Sequence, residues 1–386
     1  MLFLFSVNPL AGYARGLNIN LNSKNRGCLV KYFNFIVAIL LSLLYATGKI
    51  PPTEKYNLWI TSFIIPVALA INHVLLVISL VLKKKSGVYY LIALLIGSPY
   101  LFSTIGIKHL LNRSNSPAQT FSVINYNIGS YHMRPHTYDN TDSARIALKN
   151  WLLNGDADIR CYQEFTNFPW SKEFNVIEQL NRNGSYYYFS KEDETPHTNY
   201  SRTGTLIISR FPIVSSGDLL ASKNGFNRIA YADLKIDQDT VRIINIHLES
   251  MGLGYLHPRY AHDLGTAKAN TMTILSKLKV GVFERSKQIK ALATFVDASP
   301  YPTLCVGDFN DLPYSYSYQY LRKRMKNSFE ESGSGLGFTY RGGTLRVLRI
   351  DNQFFSPTIR SVRFETMYQI KLSDHFPLWG EYEIIR

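Results

Sequence analysis

Leu372-Ser373-Asp374-His375-Phe376-Pro377-Leu378 sets a carboxylate and an imidazole side by side, after a strand-like run and before an apolar one. Upstream, Asn125-Tyr126-Asn127, Gln163-Glu164, Asn245-Ile246-His247, Gly307-Asp308-Phe309-Asn310 and Ile350-Asp351-Asn352 are placed in the same way. Each follows or interrupts an apolar, β-branched run, at 121–124, 157–159, 241–244, 303–306 and 345–348. Buried strands read like this. Polar groups gathered at the ends of several strands point to one shared site, because burying them singly without partners is costly.

Working outward, the spacing predicts strands at 121–126, 159–162, 186–190, 204–209, 228–236, 241–247, 303–306, 346–350 and 377–385. Helical patterns fall at 142–153, at 170–182 and in a long stretch over 262–295. Hairpin-like strands mixed with intervening helices favour an α/β fold with mixed sheets. No internal repeat of fixed period is evident, which still allows a pseudo-symmetric pair of sheets.

The chain is uneven. Residues 1–115 hold eleven Lys/Arg and one acid, Glu54, whereas the remainder holds 31 basic and 27 acidic residues, a net of +4. The overall +14 is therefore not a nucleic-acid footprint spread over the molecule. It reads as charge flanking membrane helices. Apolar stretches at 32–47, 58–82 and 88–107 are expected to span a bilayer, which takes roughly 20 apolar residues. Pro66 and Pro99 fall inside spans, where membrane helices tolerate them. Asn72 and His73, mid-span, read as helix–helix hydrogen-bonding groups. Arg15, Lys24, Arg26 and Lys31 precede the first span and Lys83-Lys84-Lys85 separate the second from the third. Positive-inside logic puts both groups in the cytoplasm and everything after the third span outside it, an arrangement that suits a bacterial inner membrane. The apolar run at 1–5 is too short to span and shows no cleavage pattern, so the spans read as retained anchors. The expected organisation is a cytoplasmic segment at 1–31, three transmembrane helices within 32–107, a polar linker at 108–118 and a soluble domain at 119–386. Cys28, Cys161 and Cys305 show neither a disulfide framework nor zinc-ligand spacing.

The clustered groups are Asn127, Glu164, His247, Asp308, Asn310, Asp351, Asp374 and His375. Carboxylate and amide oxygens suit a hard divalent cation, Mg²⁺ or Mn²⁺. The imidazoles and amides suit phosphate oxygens, and an acid beside a histidine suggests a positioned proton-transfer device. The residues by themselves therefore read as metal-assisted hydrolysis of a phosphate ester.

In order, Asn-Tyr-Asn, Gln-Glu, Ser-Arg-Phe-Pro-Ile, Asn-Ile-His-Leu, Gly-Asp-Phe-Asn, Ile-Asp and Ser-Asp-His resemble the motifs of the endonuclease/exonuclease/phosphatase superfamily over residues 119–386. The resemblance implies a four-layer α/β/β/α sandwich of two mixed β-sheets with the site at one edge. It also implies roles. Glu164 resembles the principal metal-ligating carboxylate, with Asn127 beside it on metal or phosphate and Asp374 a second metal-side carboxylate. Asp308 resembles the acid that orients or deprotonates the attacking water, and Asn310 its phosphate-binding neighbour. His247 resembles the histidine on the phosphoryl oxygen or leaving group, and Asp351 with His375 the acid–imidazole pair. Asn352-Gln353 departs from the apolar residues more usual after that acid. His132, His136, His197, His257 and His262 read as exposed loop residues, and Tyr200, Arg202 and Arg228 as surface.

Three functions compete at this point: an anchored phosphodiesterase or phosphatase, a surface-tethered nuclease, and a binding module that kept the fold without the chemistry. A nuclease calls for a basic groove, and the longest basic cluster in the soluble part is only Arg322-Lys323-Arg324 with Lys326. The aromatic groups at 186–189 and 314–320 suit base stacking, a membrane interface or strand packing equally. The segment 251–279 follows the His247 strand and would shape specificity if it overhangs the site. Nothing in the sequence sets the oligomeric state.

Overall fold

The computed structural model describes residues 23–53, 58–107, 120–132, 142–191, 201–221, 226–250, 264–342 and 347–385. The expected linker at 108–118, Tyr200 and the histidines at 136, 197, 257 and 262 lie outside them, as does the side chain of His132. The described chain divides into two compact units, one holding residues up to Ala46 with Val67–Ser98, the other Thr47–Pro66 with Pro99 onward.

The first unit is built from three apolar helices, Ser23–Thr47, Thr61–Val81 and Gly87–Phe102, whose residues at Thr47, before Val67 and from Pro99 are counted with the second unit. Two of them are long and apolar enough to cross a membrane, over Gly27–Thr47 and Leu58–Val81. The expected third span, 88–107, is a helix of only 16 residues. At 1.5 Å per residue it reaches about 24 Å, short of the roughly 30 Å of a bilayer core. The first helix, by contrast, starts well before residue 32, because Ser23–Lys31 continues the same helical turn. Large apolar side chains are exposed, among them Leu29, Phe33, Leu40, Val74, Leu80 and Leu95. Inside, Asn72 is fully buried 3.4 Å from the Tyr45 hydroxyl. A Cβ on Gly97 would meet the Tyr45 ring at 2.8 Å, so these helices approach through a small residue.

The second unit carries two six-stranded sheets. β1 (Thr120–Asn127), β2 (Ile159–Asn167), β3 (Tyr186–Lys191), β4 (Arg202–Ser209), β11 (Ile359–Thr366) and β12 (Leu378–Ile384) form one sheet, in the order β11-β12-β1-β2-β4-β3. β5 (Ile213–Ala221), β6 (Arg228–Ile236), β7 (Asp239–His247), β8 (Thr303–Asp308), β9 (Lys326–Asn327) and β10 (Asp351–Phe355) form the other, in the order β5-β6-β7-β8-β10-β9. β1 pairs with β2, and β7 with β8, in parallel; the remaining neighbours are antiparallel.

Period-2 alternation sorts each strand into faces. Val123, Cys161, Ile207, Ile243, Leu304 and Val306 meet between the sheets. Outside the first sheet, Tyr126, Tyr162, Leu206 and Ile208 pack with Leu148 and Leu152 of the helix Asp142–Asn154. Outside the second, Ile244, Ile246 and Cys305 pack with Ile289 and Leu292 of Leu264–Asp297 and Leu321 of Tyr316–Arg322. The result is a four-layer α/β/β/α sandwich. The aromatic group at 314–320 is core packing, since Tyr314, Tyr316 and Tyr318 are buried. Both core thiols are buried, which pushes Cys161 and Cys305 well above the usual thiol range.

Three local expectations are corrected. The strand placed at 346–350 falls one step later, at Asp351–Phe355, because Val347 is exposed while every residue of β10 is buried and paired with β8. The helix at 170–182 forms only over Val176–Arg182: the Ser171 hydroxyl accepts from Phe174 N at 3.0 Å and turns the chain before it. Strand β2 does not stop at Tyr162 but continues through a bulge to Asn167.

Gly307 is a point of close backbone approach next to Asp308. Its φ is +136° and a Cβ there would fall 2.1 Å from the Ile246 carbonyl oxygen. Gly184 also has positive φ, +65°, but faces open space. Gly307→Ala is expected to cost about 2–3 kcal/mol, and Gly184→Ala about 1, read as melting temperatures of the detergent-solubilised chain by circular dichroism.

Candidate active site

The inner face of the sandwich changes character along its length. β1 presents Phe121, Val123, Asn125 and Asn127 inward, and β7 presents Val241, Ile243, Asn245 and His247. β8 runs Leu304, Val306, Asp308, and β10 runs in reverse from Asp351 through Gln353 to Phe355. Apolar residues give way to an amide layer and then to ionisable groups. The amides are buried and bond from sheet to sheet: Gln163 Nε2 donates to Asn245 Oδ1 at 2.6 Å, and Gln353 Nε2 to Asn125 Oδ1 at 2.8 Å. This explains the polar Asn352-Gln353 pair, since Gln353 belongs to that layer.

Register brings the next level together at one edge. Asn127 lies opposite Gln163, His247 opposite Asp308, and Asp308 opposite Asp351. Strict alternation would send Glu164, next to the inward Gln163, to the opposite face. The bulge in β2 prevents this: Glu164 adopts φ 51° and turns back into the site. Asn310 is also left-handed, φ 49°, and from there its backbone N–H donates to Asp308 Oδ1 at 2.8 Å. Non-glycine residues in this region store about 1 kcal/mol or more each and gather at functional sites.

Asp308 is the hub. Its Oδ2 accepts from Asn127 Nδ2 at 3.0 Å and lies 3.8 Å from both His247 Nε2 and His375 Nε2. Asn127 Nδ2 also reaches Glu164 Oε1 at 3.3 Å, and His247 Nε2 is 3.8 Å from that same oxygen. His247 Nδ1 donates to the Phe226 carbonyl at 2.7 Å, which leaves Nε2 facing the carboxylates. His375 Nδ1 bonds Asp351 Oδ2 at 2.8 Å. Asn310 spends a side-chain N–H on the Leu248 carbonyl at 3.1 Å. Asp374, half-buried, has Oδ1 3.1 Å from Ser373 Oγ on the rim beside Gly129.

Electrostatics follow from this packing. Burial raises the Asp308 carboxyl above its ordinary value and the Asp351 charge adds to this, while His375, His247 and the Asn127 hydrogen bond oppose it. Burial alone would lower His375; the charges of Asp351 and Asp308 and the Asp351 hydrogen bond outweigh it, and the imidazole ends well above its usual range.

The carboxylate oxygens of Glu164 and Asp308 fit a hard divalent cation, whereas Asn127 turns Nδ2 toward them and its Oδ1 accepts from Gly129 N at 3.1 Å. Asp308, Asp351 and His375 also hold ligand-type atoms within 4.8 Å of one another. Two of those atoms are already bonded to each other, so the Glu164 side fits an ion better.

Several supporting residues carry no sequence signal of their own. Thr339, fully buried, accepts at Oγ1 from Ile350 N and Asp351 N (3.0 and 3.1 Å), and its carbonyl takes Phe376 N at 2.7 Å. One residue thus braces both halves of the acid–imidazole pair. Tyr340 sets its ring edge against His375 at 5.0 Å, and Ser373 Oγ donates to the Asn127 carbonyl at 2.8 Å. Arg228, expected at the surface, is buried beside His247 and bonds Ser190 Oγ and Asp218.

With that geometry in place, the family model described as "Endonuclease/Exonuclease/phosphatase family" matches residues 124–375. The chain belongs to this family. Its members are typically hydrolases of phosphodiester bonds and generally use divalent metals. A second model, "Domain of unknown function (DUF8431)", matches residues 28–104. Similar solved structures include an endonuclease/exonuclease/phosphatase from Beutenbergia cavernae DSM 12333, at 16% identity over 69% of this chain and 72% of that one, TM-score 0.46. The human Nocturnin catalytic domain with bound sulfate anion is 15% identical over 72% of this chain and 99% of that one, TM-score 0.47. Truncated Caenorhabditis elegans TDP2 is 16% identical over 68% of this chain and 98% of that one, TM-score 0.47. None of the curated proteins compared with the chain matches it.

Because the folded His375 value is raised, the stability its pairing provides is complete below the ordinary histidine value of 6.5 and is lost as pH rises through the folded value. Asp351→Asn removes the carboxylate charge but keeps its shape. The His375 imidazole should then titrate at lower pH by NMR, and the alkaline loss of stability should move down with it.

Proposed function

We propose that this protein is a membrane-anchored, divalent-metal-dependent phosphoesterase whose catalytic unit lies outside the cytoplasm. The observation that carries the chemistry is the gathering of Asn127, Glu164, His247, Asp308, Asn310, Asp351 and His375 at one edge of both sheets. Glu164, Asn127 and Asp374 are the residues proposed to hold Mg²⁺ or Mn²⁺, which when bound supplies Lewis-acid polarisation of the phosphoryl group. Asp308 is held at both oxygens, by Asn310 N and Asn127 Nδ2, and so is oriented to receive a proton from an attacking water. His375, charged through its bond to Asp351, presents Nε2 to the place where negative charge grows on the phosphoryl oxygens. His247, with Nδ1 fixed on Phe226, presents Nε2 from the opposite side. Asn310 closes the phosphate side.

Anchoring is supported by the two helices of spanning length and their outward apolar side chains. Sidedness is supported by chain membership. The connection Thr47–Pro66 and residues from Pro99 onward share a unit with the site, whereas Lys83-Lys84-Lys85 lie at the far ends of the second and third helices. A triple-lysine turn favours the cytoplasm, which puts the site on the other face. This reading requires the 16-residue third helix to cross a locally thinned bilayer.

The test is hydrolysis by the full chain in detergent, with Mg²⁺, Mn²⁺ or chelator, on bis-p-nitrophenyl phosphate, p-nitrophenyl phosphate, phospholipid vesicles, plasmid DNA and RNA. Metal-dependent turnover falling about 10²–10⁴-fold in Glu164→Ala and His375→Ala is expected. Plasmid nicking as the preferred activity would move the assignment to a tethered nuclease; metal binding without any turnover would move it to a binding module. In spheroplasts, a cysteine introduced by Lys84→Cys should resist a membrane-impermeant thiol reagent until lysis. Labelling of intact cells would reverse the topology.

A further inference from the structure

The catalytic unit includes the chain's exit from the third apolar helix. The Tyr100 ring packs against Tyr314 with centroids 6.2 Å apart, and Thr104 Oγ1 bonds the Tyr314 hydroxyl at 2.8 Å. Ser103 is fully buried and its hydroxyl donates to Glu330 Oε1 at 2.6 Å. Gly106 and Gly335 exchange backbone hydrogen bonds of 2.8 and 3.1 Å. Residues 103–106 therefore form a strap bonded along its length.

The strap ends on one side chain near the site. Arg349, only 5% exposed, donates from Nη2 to the Ser103 carbonyl at 2.5 Å and from Nη1 to Asn352 Oδ1 at 2.6 Å. Its guanidinium lies over the Phe329 ring at 4.5 Å and the Tyr318 ring at 5.3 Å, and Nη2 also reaches the Tyr318 hydroxyl at 3.2 Å. Glu330 closes the network, accepting from Ser103, Tyr318 and Arg322. Arg349 and Asn352 bracket Ile350-Asp351, so one guanidinium clips the start of β10 on both sides of the carboxylate that holds His375.

We propose that Arg349 is a positioning residue for the Asp351–His375 pair and that residues 103–106 are the strap that holds it, so that the segment leaving the third helix is part of the catalytic geometry. The inference rests on the function proposed for that pair. A buried guanidinium needs its acceptors. Withdrawing the Ser103 carbonyl leaves Nη2 of Arg349 with only the Tyr318 hydroxyl at 3.2 Å, and as the guanidinium shifts the other arm, on Asn352, moves with it. Displacements of about 1 Å at a reacting group cost up to about 10²-fold in rate. Thr339, which binds Ile350 N and Asp351 N, limits the displacement and hence the loss.

The strap can be loosened without changing a side chain in the site. A Cβ on Gly106 would fall 2.6 Å from Gly333 C and O, so Gly106→Ala pushes the strap away. Gly106→Ala, Arg349→Gln, Arg349→Lys and the Gly106→Ala/Arg349→Gln double variant are compared in the full chain with Mn²⁺ and bis-p-nitrophenyl phosphate, normalised to folded protein. The expected result is a fall of about tenfold in kcat for Gly106→Ala and for Arg349→Gln with KM within about twofold, partial recovery in Arg349→Lys, and a double variant no worse than the weaker single. Wild-type kcat in Gly106→Ala, or single effects that multiply in the double, overturns the proposal. The His375 Nδ1 proton shared with Asp351 gives a second readout that needs no substrate. Its NMR resonance should shift in Gly106→Ala and Arg349→Gln but not in Gly184→Ala, and an unmoved resonance also overturns the proposal. Absent turnover in the parent chain, or full turnover in His375→Ala, counts against the phosphoesterase reading and leaves the NMR result to decide the strap.

Discussion

The site depends on a constraint inside the sandwich: the space between the sheets must pass from hydrocarbon to ionised groups without leaving a charge against hydrocarbon. Val123, Ile243 and Val306 form the dry end and Asp308 with His247 and His375 the charged end. Between them lie four amides, Asn125, Gln163, Asn245 and Gln353, bonded across the sheets. An amide there satisfies the carbonyls and amides of its neighbours and adds no net charge, whereas an unpaired carboxylate at that depth would be too costly to hold ionised. Asn245 shows the economy of this arrangement, donating from one side chain to the carbonyls of Tyr162 and Leu206 in the opposite sheet.

That layer also fixes the geometry above it. With strands held in register by cross-sheet bonds, a residue two positions further along each strand emerges at a defined place, which is how Asn127, His247 and Asp308 meet. Glu164 is the exception that alternation cannot place, and the strained bulge exists to bring it round. Asn310 uses the same left-handed device to turn its N–H onto Asp308. Strain is concentrated where orientation matters, and the surrounding hydrogen bonds hold it there.

The unit that bears the site also holds chain from the apolar region. Thr47–Pro66 and Pro99 onward belong to the unit that bears the site, and a Cβ on Gly48 would meet the Tyr100 hydroxyl at 2.4 Å and the Tyr314 carbonyl at 2.8 Å. Within the basic cluster at 322–326, Arg322 pairs with Glu330 and Arg324 with Asp297. Among the described residues the candidate site presents carboxylates and imidazoles, and no continuous cationic track of the kind a nucleic-acid backbone attracts runs beside it.

The sequence by itself determined the mixed α/β class and most strand positions and singled out the eight candidate site residues, because alternation and composition are local signals. Helix length was less legible: apolar composition runs from 88 to 107, but the helix stops at Phe102, where Ser103 and Thr104 find partners in Glu330 and Tyr314. Strand β10 was displaced because Asn352 and Gln353 look unlike core until Arg349 on Asn352, and Asn125 across the sandwich on Gln353, are known. Only the tertiary structure decided that Thr339 braces Asp351, that Arg228 is buried, and that Ser103 meets Arg349 across 246 positions of chain. Such contacts join residues whose separation along the chain has no period, and a pattern read along the chain cannot carry them.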